Sequence, residues 1–111
     1  MQTVVIVGAV EFARYARRKL QGAGLRPVCA RDGRDAVEAI THERPVMILI
    51  DGALPDIQSV WLLGRIERSP ALARIPRAVI PRVAGRAVDD AIQAPFPYLA
   101  RPVAPRMVVV R

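Results

Sequence analysis

One cysteine, one histidine and one tryptophan are all that the 111 residues contain of those types. A lone Cys29 excludes an internal disulfide and a multi-cysteine metal site. Its apolar setting, Pro27-Val28-Cys29-Ala30, predicts a small buried hydrophobe. His42 has no second histidine or cysteine with which to share a metal, and its place in the helical pattern predicts a solvent-facing side chain. No apolar run approaches the roughly 20 residues needed to cross a bilayer. The N-terminus shows no charged segment followed by an apolar core and a cleavage site, so the chain is expected in the cytoplasm with no membrane partner. Glycine-rich phosphate loops are missing as well. The first turn reads Gly8-Ala9-Val10-Glu11-Phe12-Ala13, without G-x-G-x-x-G, and no G-x-x-x-x-G-K-[ST] occurs, which argues against a nucleotide-binding domain.

Lysine is nearly absent. Lys19 stands alone among 17 basic residues, and the remainder are arginines that carry the formal charge to +7. Such a balance attracts polyanions. The arginines are scattered, however, and form no run of the kind that marks a nucleic-acid-binding tail, so nucleic acid is not the expected partner. A hydrophobic content of 52% places the chain among globular proteins. At this length it forms one domain, residues 1–111, able to bury about two-thirds of its unfolded surface. We expect that domain to be part of a longer protein.

Short apolar runs alternate with helical patterns, the signature of βαβ units around a parallel sheet. Thr3–Val7 is a continuous β-branched run, as a strand covered on both faces requires. Glu11–Leu20 follows with Phe12, Ala16 and Leu20 on one face and Arg14, Arg17 and Arg18 on the other. Glu11 lies in the first turn, where it favours the helix dipole, and Gly22 and Gly24 end the helix. A second strand spans Arg26–Arg31. Asp32-Gly33 then opens a helix whose apolar face is Ala36, Val37 and Ile40. Val46–Ile50 is the most apolar run, predicts the central strand, and ends in Asp51 at the carboxyl edge where open α/β sheets place ligands. A helix from about Ser59 to Arg68 has Leu62, Leu63 and Ile66 as its core stripe. Arg77–Ile80 predicts a fourth strand, residues 84–94 a weak helix, and Phe96–Arg101 a fifth, proline-interrupted edge strand. The Val108-Val109-Val110 run is a poor helix former, leaving a last helix short or missing.

These units resemble the receiver domains of two-component response regulators over about residues 3 to 108. Gly24, Val28, Ala30, Asp32, Gly33, Ala36 and Ile40 fall at or near that family's register. Pro45 to Asp56 reads P-x-x-I-L-I-D-x-x-L-P-D, which is similar to its phosphoacceptor strand and following loop. Ile75-Pro76 resembles the start of the fourth strand, and Tyr98 to Pro102 (Y-L-A-R-P) the family's Y-x-x-K-P. The resemblance implies a three-layer α/β/α, flavodoxin-like doubly wound fold with five parallel strands in the order 2-1-3-4-5. It also implies Asp51 as the phosphoacceptor position in a two-component or phosphorelay pathway.

The departures define the functional expectation. Where receivers carry an acidic pair that holds Mg²⁺, the register places Gly8 and Ala9. Mg²⁺ requires hard oxygen ligands in near-octahedral geometry, and phosphoryl transfer requires its charge. Pro81 stands where a Thr or Ser hydroxyl would bond the phosphoryl group and has neither a hydroxyl nor an N–H. Arg101 replaces a lysine with a longer fork and is expected to pair with Asp51. Tyr98 lies at the aromatic switch position, whose coupling Pro81 interrupts. We therefore expect a pseudo-receiver, a regulatory domain without catalytic residues, metal or other cofactor, acting by contact with a protein partner, an attached output domain or a second copy. The alternative is a receiver still phosphorylated on Asp51, the one case in which Mg²⁺ would be required. Trp61 is the partner-binding candidate. It sits opposite Leu62, Leu63 and Ile66 and near Arg65 and Arg68, the composition of an interface hot spot, with stacking on an arginine of its own face as the plainer role.

Overall fold

The structure is a computed structural model and describes residues 1–52, 56–80 and 108–109, with the backbone alone for 56–59 and 108–109. In chain order the elements are β1 (Thr3–Val7), α1 (Val10–Gly22), β2 (Arg26–Ala30), α2 (Gly33–Glu43), β3 (Met47–Asp51), α3 (Asp56–Arg68), α4 (Pro70–Ala73), β4 (Arg77–Ile80) and β5 (Val108–Val109). The strands form one parallel sheet in the order β2-β1-β3-β4-β5, the doubly wound order expected.

The two apolar runs at the sheet centre explain that order. Every residue of β1 and β3 is buried, and the two strands lie side by side with Val4 opposite Met47 and Val7 opposite Ile50. Strands with both faces covered can be apolar at consecutive positions, whereas a half-solvated strand must alternate. Successive side chains enter opposite layers. Val4, Ile6, Met47, Leu49, Ala78 and Ile80 pack with Ala16 and Leu20 of α1. Val5, Val7, Ile48 and Ile50 pack on the other face with Ala36 and Ile40 of α2 and Leu62 and Ile66 of α3. Burying one such aliphatic side chain contributes about 1.5–3 kcal/mol, so these two clusters set the fold.

The helix limits follow local chemistry. Asp32 caps α2 by accepting the Asp35 N–H at 2.9 Å. The chain leaves α1 through Gly24, whose φ of 78° suits a residue without Cβ. It leaves α2 through Arg44, whose φ of 47° is the left-handed conformation that glycine adopts more cheaply. His42 is exposed, as expected.

Two expectations need correction, and others lie outside the described residues. The edge place beside β4 is taken by Val108–Val109, paired with Ala78 and Val79. β-branched residues suit a ladder, whereas Pro97 would remove one of its donors. The stretch 96–101 itself, like the helix expected at 84–94, lies outside the described residues. Helix α3 begins at Asp56, three residues before Ser59, and a further turn, α4, follows it with Pro70 in its first turn. Cys29 is only partly buried, because β2 is an edge strand, and the Arg17 guanidinium reaches its Sγ at 3.4 Å.

Candidate functional site

The carboxyl ends of β1 and β3 meet at one pole of the sheet. Past the strands the backbone ladder continues, with Gly8 N–H donating to Ala30 O at 3.1 Å and Gly52 N–H to Ile80 O at 2.7 Å. This extension holds Gly8 and Asp51 rigidly side by side. Asp51 closes the central strand and is only 6% exposed.

Gly8 is buried against that aspartate. A Cβ placed on Gly8 would stand 2.5 Å from Asp51 Cβ, 3.1 Å from Asp51 Oδ2 and 2.9 Å from the Phe12 ring. The aspartate thus fills the space that any side chain at position 8 would need. Its Oδ2 accepts a long, weak hydrogen bond from the Ala9 N–H at 3.5 Å. Ala9 is the N-cap of α1 and has no side chain able to cap. Asp51 therefore places a carboxylate at the start of α1, where the helix dipole favours negative charge. Glu11 adds a second acidic group in the first turn.

Among the described residues, those around Asp51 do not fit a Mg²⁺ ion. Gly8 and Ala9 offer no side-chain oxygen, and position 8 has no room for one. Among the described residues no group of three His, Cys, Asp or Glu side chains gathers around a common point. Of the other sequence-derived site residues, Pro81, Tyr98 and Arg101 lie outside the described residues, as does the Leu54-Pro55 loop.

Trp61 stands apart from this pole on α3. It is 42% exposed, and the Arg65 guanidinium lies 5.9 Å from its ring centroid. Exposure and arginine stacking thus coexist at Trp61. Val60 beside it is 70% exposed.

Sequence reasoning missed two arginine features. Arg77, on β4, is 2% exposed, with Nη1 donating to Ile75 O at 3.0 Å and more weakly to Ala73 O at 3.5 Å. Its Nε and Nη2 are buried without a hydrogen-bond partner. Burial pushes its pKa below the ordinary guanidinium value, and the field of Glu67 opposes the shift. The signal was present in the pattern: Arg77 and Val79 share a face, and both faces of a central parallel strand are covered. The second feature is a set of arginines brought together around the α2–α3 surface, which no sequence spacing announces.

No protein-family model matches the sequence, and no curated protein does. Solved structures do match. A presumed response regulator from Chloroflexus aurantiacus J-10-fl superposes with a TM-score of 0.75 at 19% identity, covering 90% of this chain and 98% of that one. The N-terminal domain of a response regulator receiver protein from Methanoculleus marisnigri JR1 gives 0.67 at 18% identity, covering 100% and 85%. The chemotaxis response regulator CheY4 of Vibrio cholerae gives 0.65 at 21% identity, covering 72% and 68%. Strand order, the position of Asp51 at the carboxyl edge and these superpositions agree. The chain has the fold of the response-regulator receiver domains.

Proposed function

We propose that this domain is a receiver-like regulatory module of a signal-transduction protein that works by protein–protein contact, without phosphorylation of Asp51 and without enzymatic activity of its own. One observation carries the reading: the Asp51 side chain occupies the space over Gly8 in which a metal-binding carboxylate would have to sit. A phosphoryl acceptor must be reachable, and its reaction needs a cation to neutralise the developing charge. Asp51 is 6% exposed, sits against Gly8, and has one of its oxygens turned toward the Ala9 N–H. Its role is then structural, closing the β1–α1 junction.

The test uses Trp61, the one tryptophan, which lies on the helix following β3. Its fluorescence is followed during titration with Mg²⁺ and then with beryllofluoride, a mimic of aspartyl phosphate. Intact mass is measured in parallel after treatment with acetyl phosphate. The reading expects no saturable Mg²⁺ response into the millimolar range and no added phosphate. Saturable Mg²⁺ binding together with phosphate on Asp51 would overturn it and return the domain to a phosphorelay.

A further inference from the structure

At the opposite end of the sheet from Asp51, where the chain enters β3 and β4, two hollows meet between α2, α3 and α4. The larger, of about 620 Å³, has Ile40, Leu72 and Ile75 in its floor and the guanidinium-bearing Arg44 and Arg74 on its lining. The smaller, of about 200 Å³, is lined by Arg65 and Arg68 beside Val37. The two share Thr41, Ser69 and Leu72, so they form one continuous groove. Among the described residues, four arginines border it and none of those lining it is acidic. Arg44, Arg65, Arg68 and Arg74 are all exposed. The Thr41 hydroxyl donates to Val37 O at 2.7 Å, which leaves its lone pairs available as acceptors. The stacked pair Trp61 and Arg65 extends the same surface along α3.

A second observation concerns how one of these arginines is held. Arg44 is the one non-glycine residue among those described with positive φ, at the exit of α2. Glycine would take that conformation without strain. The left-handed turn caps α2, with the Arg44 N–H donating to Ile40 O at 3.1 Å, and it costs arginine more than glycine; among the described residues no hydrogen bond or ion pair engages the Arg44 side chain. Strain of this kind, at the lip of a cleft, is where binding residues are found.

The geometry points to this groove as the docking site for an acidic peptide segment of a partner protein, one that places an aliphatic side chain on Ile40, Leu72 and Ile75 and carboxylates against Arg44, Arg74, Arg65 and Arg68. Charge complementarity commits the occupant to an anion. The apolar floor selects a peptide over a nucleic-acid backbone, because a phosphodiester chain has nothing to bury there. This rests on the reading of the domain as a protein-binding module, but it is independent of Asp51, which lies a full strand length away at the other edge.

The experiment uses the full chain and a fluorescein-labelled synthetic peptide of about a dozen residues in which glutamates flank two leucines. Fluorescence anisotropy is measured for this peptide, for its glutamine counterpart, and for a single-stranded oligonucleotide of equal charge. Binding of the acidic peptide and not of the glutamine version is expected. Arg44→Gly with Arg74→Gln should weaken it by about tenfold, the loss of two solvent-exposed charge contacts of moderate strength. An equal loss of charge on α1, Arg14→Gln with Arg18→Gln on the other side of the sheet, should change it by less than about twofold. Arg44→Gly alone should raise the melting temperature while lowering affinity, a combination that a folding defect cannot produce. Absence of peptide binding, equal weakening by the α1 variants, or tighter binding of the oligonucleotide with the same groove dependence would each overturn the assignment. A chain that takes phosphate on Asp51 yet still binds the peptide through the groove would sustain the groove and sink the phosphorylation-independent reading; a chain that does neither would sink the groove alone.

Discussion

Gly8→Ala adds a single methyl group, and the structure makes its effect specific. The new Cβ would lie 2.5 Å from Asp51 Cβ and 2.9 Å from Phe12 Cδ2. Carbon atoms pack at about 3.5–4.0 Å, so roughly an ångström of movement is required. The half-buried Phe12 ring can rotate away, but Asp51 Cβ is attached to the central strand, whose neighbours β1 and β4 fix it on both sides. Overpacking of this kind costs about 1–3 kcal/mol. Gly8 does not adopt a positive φ, so alanine gains about 0.4–1 kcal/mol by restricting the unfolded chain. The net expectation is a loss of about 1–2 kcal/mol, a fall in melting temperature of roughly 4–15 °C for a domain near this size.

Asp51→Gly removes the opposing Cβ. Alone it is destabilising, because it deletes the acceptor of the Ala9 N–H and puts glycine into a strand. Combined with Gly8→Ala it should recover stability through a favourable coupling of about 1–2 kcal/mol, measured by thermal or urea denaturation of all four proteins in a double-mutant cycle. If Gly8→Ala leaves the midpoint unchanged, or if the two effects simply add, Asp51 does not fill the space over position 8 and the central argument about the site fails.

Arg77→Met should be neutral or stabilising, by up to roughly 1–2 kcal/mol, because a buried guanidinium with two unpartnered nitrogens is replaced by an apolar chain of similar length. Burial lowers the Arg77 pKa, so its charge penalty is present in full below the folded pKa and is relieved only as pH rises through it. Guanidinium titrates far above neutrality, and the effect of Arg77→Met should accordingly be flat from pH 6 to about 9 in chemical denaturation. Asp32→Ala should cost about 1 kcal/mol by deleting the cap on α2, with Asp32→Ser recovering most of it; a cost near zero would mean that the 2.9 Å contact with Asp35 N–H contributes nothing.

The sheet was legible in the sequence because its two central strands carry uninterrupted apolar runs, Val4–Val7 and Met47–Ile50, as twice-covered parallel strands do. Helix faces followed from spacing, and Ala16, Leu20, Ala36, Ile40, Leu62 and Ile66 are buried where the periodicity placed them. Two runs, Phe96–Arg101 and Val108–Val110, offer themselves for the edge, and periodicity cannot say that Val108–Val109 is the pair that reaches β4. At the site, register alone brings Asp51, Gly8 and Ala9 to one pole. What no pattern could reveal was the distance between them, and therefore that the Asp51 side chain leaves no room for a Cβ at position 8. The groove was invisible for a different reason. Arg44, Arg65, Arg68 and Arg74 are separated in sequence by as many as 30 positions and converge only because α2 and α3 pack on the same face of the sheet.

Gly8 and Asp51 constrain each other. An acidic side chain introduced at position 8 would meet the Cβ of Asp51 before its carboxylate could reach a shared ion. It would also bring a second negative charge beside a buried first one, which at about 4 Å costs on the order of 4 kcal/mol even with substantial screening. In a site that holds a metal, the cation repays that repulsion; here the Ala9 N–H and the start of α1 face the Asp51 carboxylate. The geometry at this pole is thus self-consistent for one acid and inconsistent for a pair. Making room for a side chain at position 8 would require moving β3 relative to β1, the two strands whose pairing defines the core.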